Sequence, residues 1–237
     1  MFTTYFIQPV YNVFVFLIGM MPGGDVGLAI IALTIIVRIV LYPVFTASIR
    51  TQMGMQAMQA DLDVATKKFK DKPEELTAAR LGLLKKHKVN PLAGIGTLVI
   101  QLVVLISLYY AMFREGFPAI EESLLYPFVH APAVVSTNFF GLLDLFSPHH
   151  IVLAVLVGLT QYFTIRLTLA RTNASQGSLS PEKAAAQRLQ SGMMLYAMPA
   201  LLTVFGYFFP AAVGLYFITG NVLSLGQEAL IKRELQK

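Results

Sequence analysis

Thr34-Ile35-Ile36-Val37-Arg38-Ile39-Val40-Leu41-Tyr42-Pro43 is an apolar, helix-forming run with a single charge in its middle. The apolar stretch around it extends from Gly27 to Ser48, so Arg38 stands eleven residues after its start and ten before its end. At the centre of a bilayer a charge costs about 2.5 to 3.5 kcal/mol on insertion scales. A residue placed there faces water, a partner or a substrate, and the rest of the chain is read for what accommodates it.

The surrounding composition places the run in a membrane. The 237 residues are 56% hydrophobic and 13% charged, with a mean hydropathy of +0.64, beyond what a soluble domain of this size needs for its core. Four further apolar runs are long enough to cross about 30 Å of hydrocarbon: Leu92 to Phe113, His150 to Leu169, Met193 to Phe209 and Ala211 to Ile231. Pro210 separates the last two and suits the first turn of a helix, which predicts a tight hairpin; Pro199 predicts a kink in the fourth span. Residues 1–24 are apolar but interrupted by Gln8-Pro9 and Asn12, and read as an interfacial amphipathic helix without the features of a secretory signal, with a sixth span as the alternative, since it would not alter the orientation of anything downstream. The expected fold is an all-α polytopic membrane protein with a five-span core: spans at 25–48, 92–114 and 149–170, and a hairpin of spans over 193–231.

Basic residues orient this core. Of 18 Lys and Arg, nine lie in the connection 49–91 (counting Arg50), four lie at the inner end of the third span or after it (Arg166, Arg171, Lys183 and Arg188), three lie at the end, and none falls in the connection 115–148. By the positive-inside rule the first span runs outward to inward and the short tail 232–237 is cytoplasmic. The connection 49–91 carries Met55, Met58, Leu62, Ala65 and Phe69 at 3-4-3-4 spacing, an apolar stripe on a helix. Asp71-Lys72-Pro73-Glu74-Glu75 ends that helix and starts another, whose C-terminal Lys85, Lys86 and Lys88 oppose the helix dipole. The two form a basic cytoplasmic hairpin, on which Met55, Met58, Lys67, Lys68, Lys85 and Lys86 are the candidate contact residues; the methionines suit an adaptable surface, but a buried seam between the two helices is about twice as common for such residues. Residues 171–192 read as a second cytoplasmic loop, and 115–148 as external loops without chemistry.

Four spans each carry one strongly polar residue near the centre: Arg38, Gln101, Gln161 and Asn221. Helical spacing adds Thr34, Thr97, Thr164 and Ser224 to the same faces. At a common depth these side chains would converge on one wet cavity. The alternative for Gln and Asn is interhelical bonding, at about 0.6 kcal/mol each; for Arg38 it is an ion pair, yet no Asp or Glu lies in the central part of any span. That lack also argues against a proton relay.

Enzymatic constellations are missing from the sequence. It has no HExxH, GxSxG or paired intramembrane aspartates, and with zero cysteines no disulfide or thiolate metal site. His149-His150 is an interfacial polar step rather than a metal pair. The expectation is a non-enzyme with no metal and no cofactor.

The order of these features resembles the YidC/Oxa/Alb-type membrane insertases. Gly27-Leu28-Ala29-Ile30 leading to Arg38 and Tyr42-Pro43 is similar to that family's first core span with its groove arginine. Met58-Gln59, Asn90-Pro91-Leu92-Ala93-Gly94 with Gln101, and Pro210, Gly214-Leu215-Tyr216, Asn221 and Gln227 continue the likeness. The family often has proline after the hairpin Gln and the second-span Gln, where this chain has Ala60-Asp61 and Leu102, and Trp where it has Phe217.

The resemblance implies a minimal bacterial member in the plasma membrane, moving polar segments of substrates through a hydrated groove and releasing their apolar helices to lipid. Its implied partners are nascent membrane proteins, membrane lipids, the ribosome and the Sec translocon, with no specific nucleic-acid sequence and no small-molecule cofactor. The competing readings are a small anion or metabolite transporter using Arg38 as its binding charge, and a structural subunit of a larger complex. No internal repeat supports a two-half transporter.

Overall fold

The computed structural model describes residues 3–70, 72–87, 89–90, 92–110, 119–173 and 181–235. Lys88, Pro91, Arg114, Glu115, the 174–180 part of the second loop and the last two residues lie outside that set. A π-helical turn (Thr3–Ile7) leads into α1 (Gln8–Met20), followed by α2 (Val26–Val40), α3 (Tyr42–Lys68), α4 (Pro73–Lys86) and α5 (Leu92–Tyr109). After a two-stranded hairpin, β1 (Asn138–Phe139) and β2 (Leu143–Asp144), come α6 (Ile151–Asn173), α7 (Pro181–Gly192), α8 (Met198–Phe208) and α9 (Ala211–Leu235).

The first span is not one straight helix. α2 and α3 meet at Leu41 with a bend of 70°, and Pro43 lies in the first turn of α3, where its missing N–H leaves no bond unmade. α3 then continues without interruption into the basic hairpin, so the boundary expected at 48 has no structural counterpart. Likewise, residues 181–192, expected as loop, form α7 and run through a π-helical turn (Met193–Ala197) into α8. Pro199, the expected kink site, lies in the first turn of α8 just past that turn. A π turn shifts the bonding register by one residue, which fits the N–H that proline lacks.

Thr3–Met20, Ile151–Leu169 and Arg188–Phe208 are long and apolar enough to cross a membrane, and the bent pair Val26–Val40 with Tyr42–Met55 makes a fourth if taken as one span. The chain is therefore an all-α polytopic membrane protein. This set differs from the five-span count. It includes the N-terminal helix, and it omits both α5, whose apolar part among the described residues is the shorter Val99–Tyr109, and α9, whose 25 residues measure about 37 Å but carry Asn221, Gln227 and Glu228.

The N-terminal helix is packed rather than peripheral. Tyr11, Phe14, Val15 and Ile18 are fully buried, in a core shared with Val26, Ala29, Ile30 and Leu33 of α2, Val104 and Leu108 of α5, and Ala212, Leu215 and Tyr216 of α9. Its interrupting polar residues are satisfied there. Asn12 Nδ2 donates to the carbonyls of Gln8 and Leu124 at 2.8 Å each, and its Oδ1 accepts from Tyr126 N at 2.6 Å. Gln8 Nε2 donates to Leu124 O at 3.1 Å, and Tyr11 Oη accepts from Glu121 N at 2.9 Å.

The same end of the bundle is closed by residues 119–148. Asp25 caps α2 by accepting from Gly27 N at 2.8 Å and Leu28 N at 3.1 Å, and its second oxygen accepts from Phe140 N at 2.8 Å. Phe139 lies so close above α2 that a Cβ on Gly27 would overlap its ring. The apolar core thus sits toward one end, with Leu145 and Val129 of the connection built into it. The basic hairpin projects from the opposite end, and none of its described residues belongs to that core.

Candidate functional site: a polar cavity beside Arg38

Arg38 sits three residues before the break at Leu41. In a straight helix Phe45 would lie about 10 Å further along the axis; with the bend, the Phe45 ring centroid is 4.2 Å from the guanidinium carbon. A cation over an aromatic face gains about 0.5 to 2 kcal/mol, more as water is excluded. One guanidinium nitrogen, Nη2, also donates to Gly220 O at 3.0 Å and Ser224 Oγ at 2.7 Å on α9. These acceptors are neutral, so Arg38 is held in place without its charge being neutralised by them.

The guanidinium opens onto a cavity of about 130 Å³. Its wall comes from five helices: Arg38 of α2; Phe45, Ser48, Ile49 and Gln52 of α3; Thr97 and Gln101 of α5; Thr164 and Thr168 of α6; Ser224 and Glu228 of α9. That volume accommodates several waters, since one needs about 10–15 Å³. On α6, Thr160, Thr164 and Thr168 recur every four residues, and each hydroxyl donates to a backbone carbonyl of its own helix. Their oxygens remain able to accept further bonds.

Five of the residues singled out in the sequence therefore share one wall: Arg38, Thr97, Gln101, Thr164 and Ser224. Thr34, Gln161 and Asn221 do not line it. Thr34 is buried and donates to Ile30 O at 2.7 Å. Asn221 Nδ2 donates to Thr160 Oγ1 at 3.1 Å, the interhelical bond weighed as its alternative. All three lie about one turn closer to the sealed end than Arg38, Thr164 and Ser224, their neighbours in the cavity wall. The cavity is displaced toward the hairpin end relative to the span centres, because the seal occupies the other end.

The sequence reading missed Ser48, Gln52, Thr168 and Glu228. Phe45, Ser48, Ile49 and Gln52 recur at 3-1-3 spacing on one face of α3, but the expected boundary at 48 divided them. Glu228 stood near the end of an apolar run and escaped a count limited to span centres. Gln227 beside it is buried and donates to Thr46 Oγ1 at 3.1 Å, joining α9 to α3.

A second, larger cavity of about 350 Å³ lies between α5, α6, α8 and α9 and is apolar, with Leu105, Ile106, Tyr109, Phe205 and Phe217 among its lining. Close helix contact bounds it: a Cβ on Gly158 of α6 would overlap the Thr203 hydroxyl of α8.

In the basic hairpin, Asp61 of α3 joins the two helices. Lys86 Nζ lies 2.7 Å and His87 Nε2 2.9 Å from its Oδ2. The Lys86 bond first, and the His87 bond second, hold the Asp61 carboxyl below the usual carboxylate range. A Cβ on Gly54 would lie 2.8 Å from His87 O, so glycine permits this close return of the chain. Met58 is buried in the seam, whereas Met55 is exposed. Lys67, Lys68 and Lys85 are exposed, with Lys68 Nζ 5.2 Å from the Phe69 ring. Lys86 is thus a fastening residue as well as a surface charge. Among the described residues no group of three or more His, Cys, Asp or Glu could hold a metal ion.

A bent helix carrying a positive charge into a polar cavity, within an apolar bundle closed at one end, defines a membrane-embedded protein with an internal polar site. Residues 17–237 match the family described as 60Kd inner membrane protein, and the chain belongs to that family, the YidC/Oxa group its motifs resemble. It is 32% identical over 236 residues to membrane protein insertase YidC of Oceanobacillus iheyensis, covering 98% of this chain and 84% of the relative. Over 234 residues it is 29% identical to membrane protein insertase MisCA of Bacillus subtilis (96% and 78% covered) and 28% identical to membrane protein insertase YidC 2 of Bacillus anthracis (96% and 80% covered).

Proposed function

We propose that this protein is a membrane protein insertase, and that the cavity beside Arg38 is where a substrate's polar segment shelters while crossing. The hairpin and C-terminus face the cytoplasm in this reading, as the distribution of Lys and Arg requires. The observation that carries it is the placement of Arg38: a guanidinium held by neutral acceptors at a polar cavity, with the packed core between it and the opposite end.

The cavity shortens the apolar path from the cytoplasmic side. An acidic residue of the substrate's external segment gains Arg38 as a partner in place of water, while the adjoining apolar helix partitions into lipid. No nucleotide-binding motif occurs in the sequence, so the drive comes from that partitioning and from the membrane potential, about 2.3 kcal/mol per charge per 100 mV. Nascent membrane proteins are the substrates; the exposed Lys67, Lys68 and Lys85 are the surface offered to a ribosome or a translocon.

The test is insertion of single-spanning proteins into proteoliposomes. Arg38→Ala lowers insertion of substrates with acidic external segments about tenfold and spares neutral ones, while Arg38→Lys retains a substantial part. Equal insertion by wild type and Arg38→Ala across several acidic substrates refutes a recruiting role for the charge. Saturable flux of small anions by vesicles that insert nothing assigns Arg38 to transport instead.

A further inference from the structure

Arg38 is held from two helices, and the two holds use different parts of the guanidinium. On the α9 side, Nη2 donates to Gly220 O at 3.0 Å and Ser224 Oγ at 2.7 Å. On the α3 side, the Phe45 ring lies 4.2 Å from the guanidinium carbon and covers a face of the group, which engages none of its N–H donors. Among the described residues, Nε and Nη1 make no hydrogen bond. Phe45 is only 5% exposed, and the next residue, Thr46, accepts from Gln227 Nε2 of α9 at 3.1 Å. That bond keeps the ring-bearing turn of α3 beside the stretch of α9 that holds Nη2. A guanidinium fixed through one nitrogen can still swing about it; a ring against its face confines the plane. A carboxylate in place of the ring would also confine the group, but it would neutralise the charge and occupy donors. An aliphatic side chain would exclude water from the face without the attraction of an aromatic π-system.

We propose that Phe45 is a positioning residue for substrate recognition: its ring holds the plane of the Arg38 guanidinium so that Nε and Nη1 are presented to a carboxylate entering the polar cavity. This rests on the insertase reading. The ring acts on the face of the guanidinium and a carboxylate binds in its plane, so the two contacts coexist on one side chain. Phe45 and Arg38 both line the cavity, and the attraction between ring and cation grows as water leaves. The hold is therefore firmest when a substrate segment has displaced the water, which is when the direction of the donors decides whether an acid is received.

The experiment measures, in proteoliposomes, the ratio of insertion of two single-spanning test proteins that differ only in Asp or Asn at one position of the external segment. Phe45 is replaced by phenylalanine carrying one, two or three ring fluorines, which withdraw charge from the ring face stepwise at nearly constant volume. The acidic-to-neutral ratio falls with each fluorine, by about threefold over the series. Phe45→Leu abolishes the acidic preference and Phe45→Tyr retains it. A side chain that only fills space gives the same ratio throughout the fluorinated series. That outcome overturns the proposal and leaves the insertase reading standing, as does an acidic preference undiminished in Phe45→Leu. Failure of wild type to insert either protein sinks the insertase reading itself and this role with it, a result distinct from a ratio that ignores the ring.

Discussion

Asn12 is 2% exposed and bonds to three backbone groups, two of them in the connection 119–148. Asn12→Ala strips the Tyr126 N–H of its acceptor within the core. A buried group left without a partner costs about 1 to 3 kcal/mol, so the variant unfolds at a lower temperature in detergent and its 119–135 segment is cleaved faster by added protease. An unchanged melting temperature and cleavage rate would show that the amide is replaceable by water. In the sequence Asn12 looked like an interruption that argued against burial of α1. Hydrogen-bond satisfaction is a property of what packs alongside, and the partner lies more than a hundred residues away. Arg38 was legible from the sequence because the expense of a charge in an apolar run needs no partner to be recognised. Phe45 and Glu228 were not, since their relation to Arg38 exists only across a bend and between helices.

At the scale of elements, the hairpin of α3 and α4 is held by Asp61 and by the close return at Gly54. The Asp61 carboxyl has its pKa lowered in the folded hairpin, so its contribution is fully present above the unfolded value of about 3.9 and is lost as pH falls through the lower folded value. Spin labels at Val64 and Leu81, both exposed, report a narrow distance distribution at pH 7 that broadens below about pH 4. Asp61→Asn is already broad at pH 7 and loses most of its acid response. A narrow distribution in Asp61→Asn at neutral pH would assign the fastening to packing alone. Sequence periodicity found both helices of this hairpin, and Pro73 with Glu74 and Glu75 marked the start of the second. It did not find that α3 begins at Tyr42. An apolar half followed by a polar half reads as a span and a separate helix, whereas the backbone bonds run through both.

At the scale of the molecule, the apolar core and the hairpin are separate: among the described residues, none of 49–91 belongs to the core cluster. Replacing residues 55–85 by a short Gly/Ser linker therefore leaves the melting temperature of the bundle within a few degrees of wild type while lowering insertion or ribosome binding severalfold. A collapse of the bundle would place the hairpin in its stability. Full activity would leave the basic surface as an orientation signal only.

The sequence by itself determined the class of this protein. Hydropathy, the charge in the first span, proline and capping positions and the uneven distribution of Lys and Arg are local quantities, and they establish an all-α membrane protein with a polar interior and a basic hairpin. Only the tertiary structure decided the depth of the cavity, which residues share its wall, and the packing of α1 against the core. Those depend on how far each helix is displaced along its axis relative to the others. That displacement follows from the 70° bend at Leu41, the seal built by residues 119–148 and the bonds from α9 to α2, α3 and α6. A one-turn shift leaves every helical face unchanged in the sequence, yet it moves Asn221 out of the cavity wall and brings Glu228 into it.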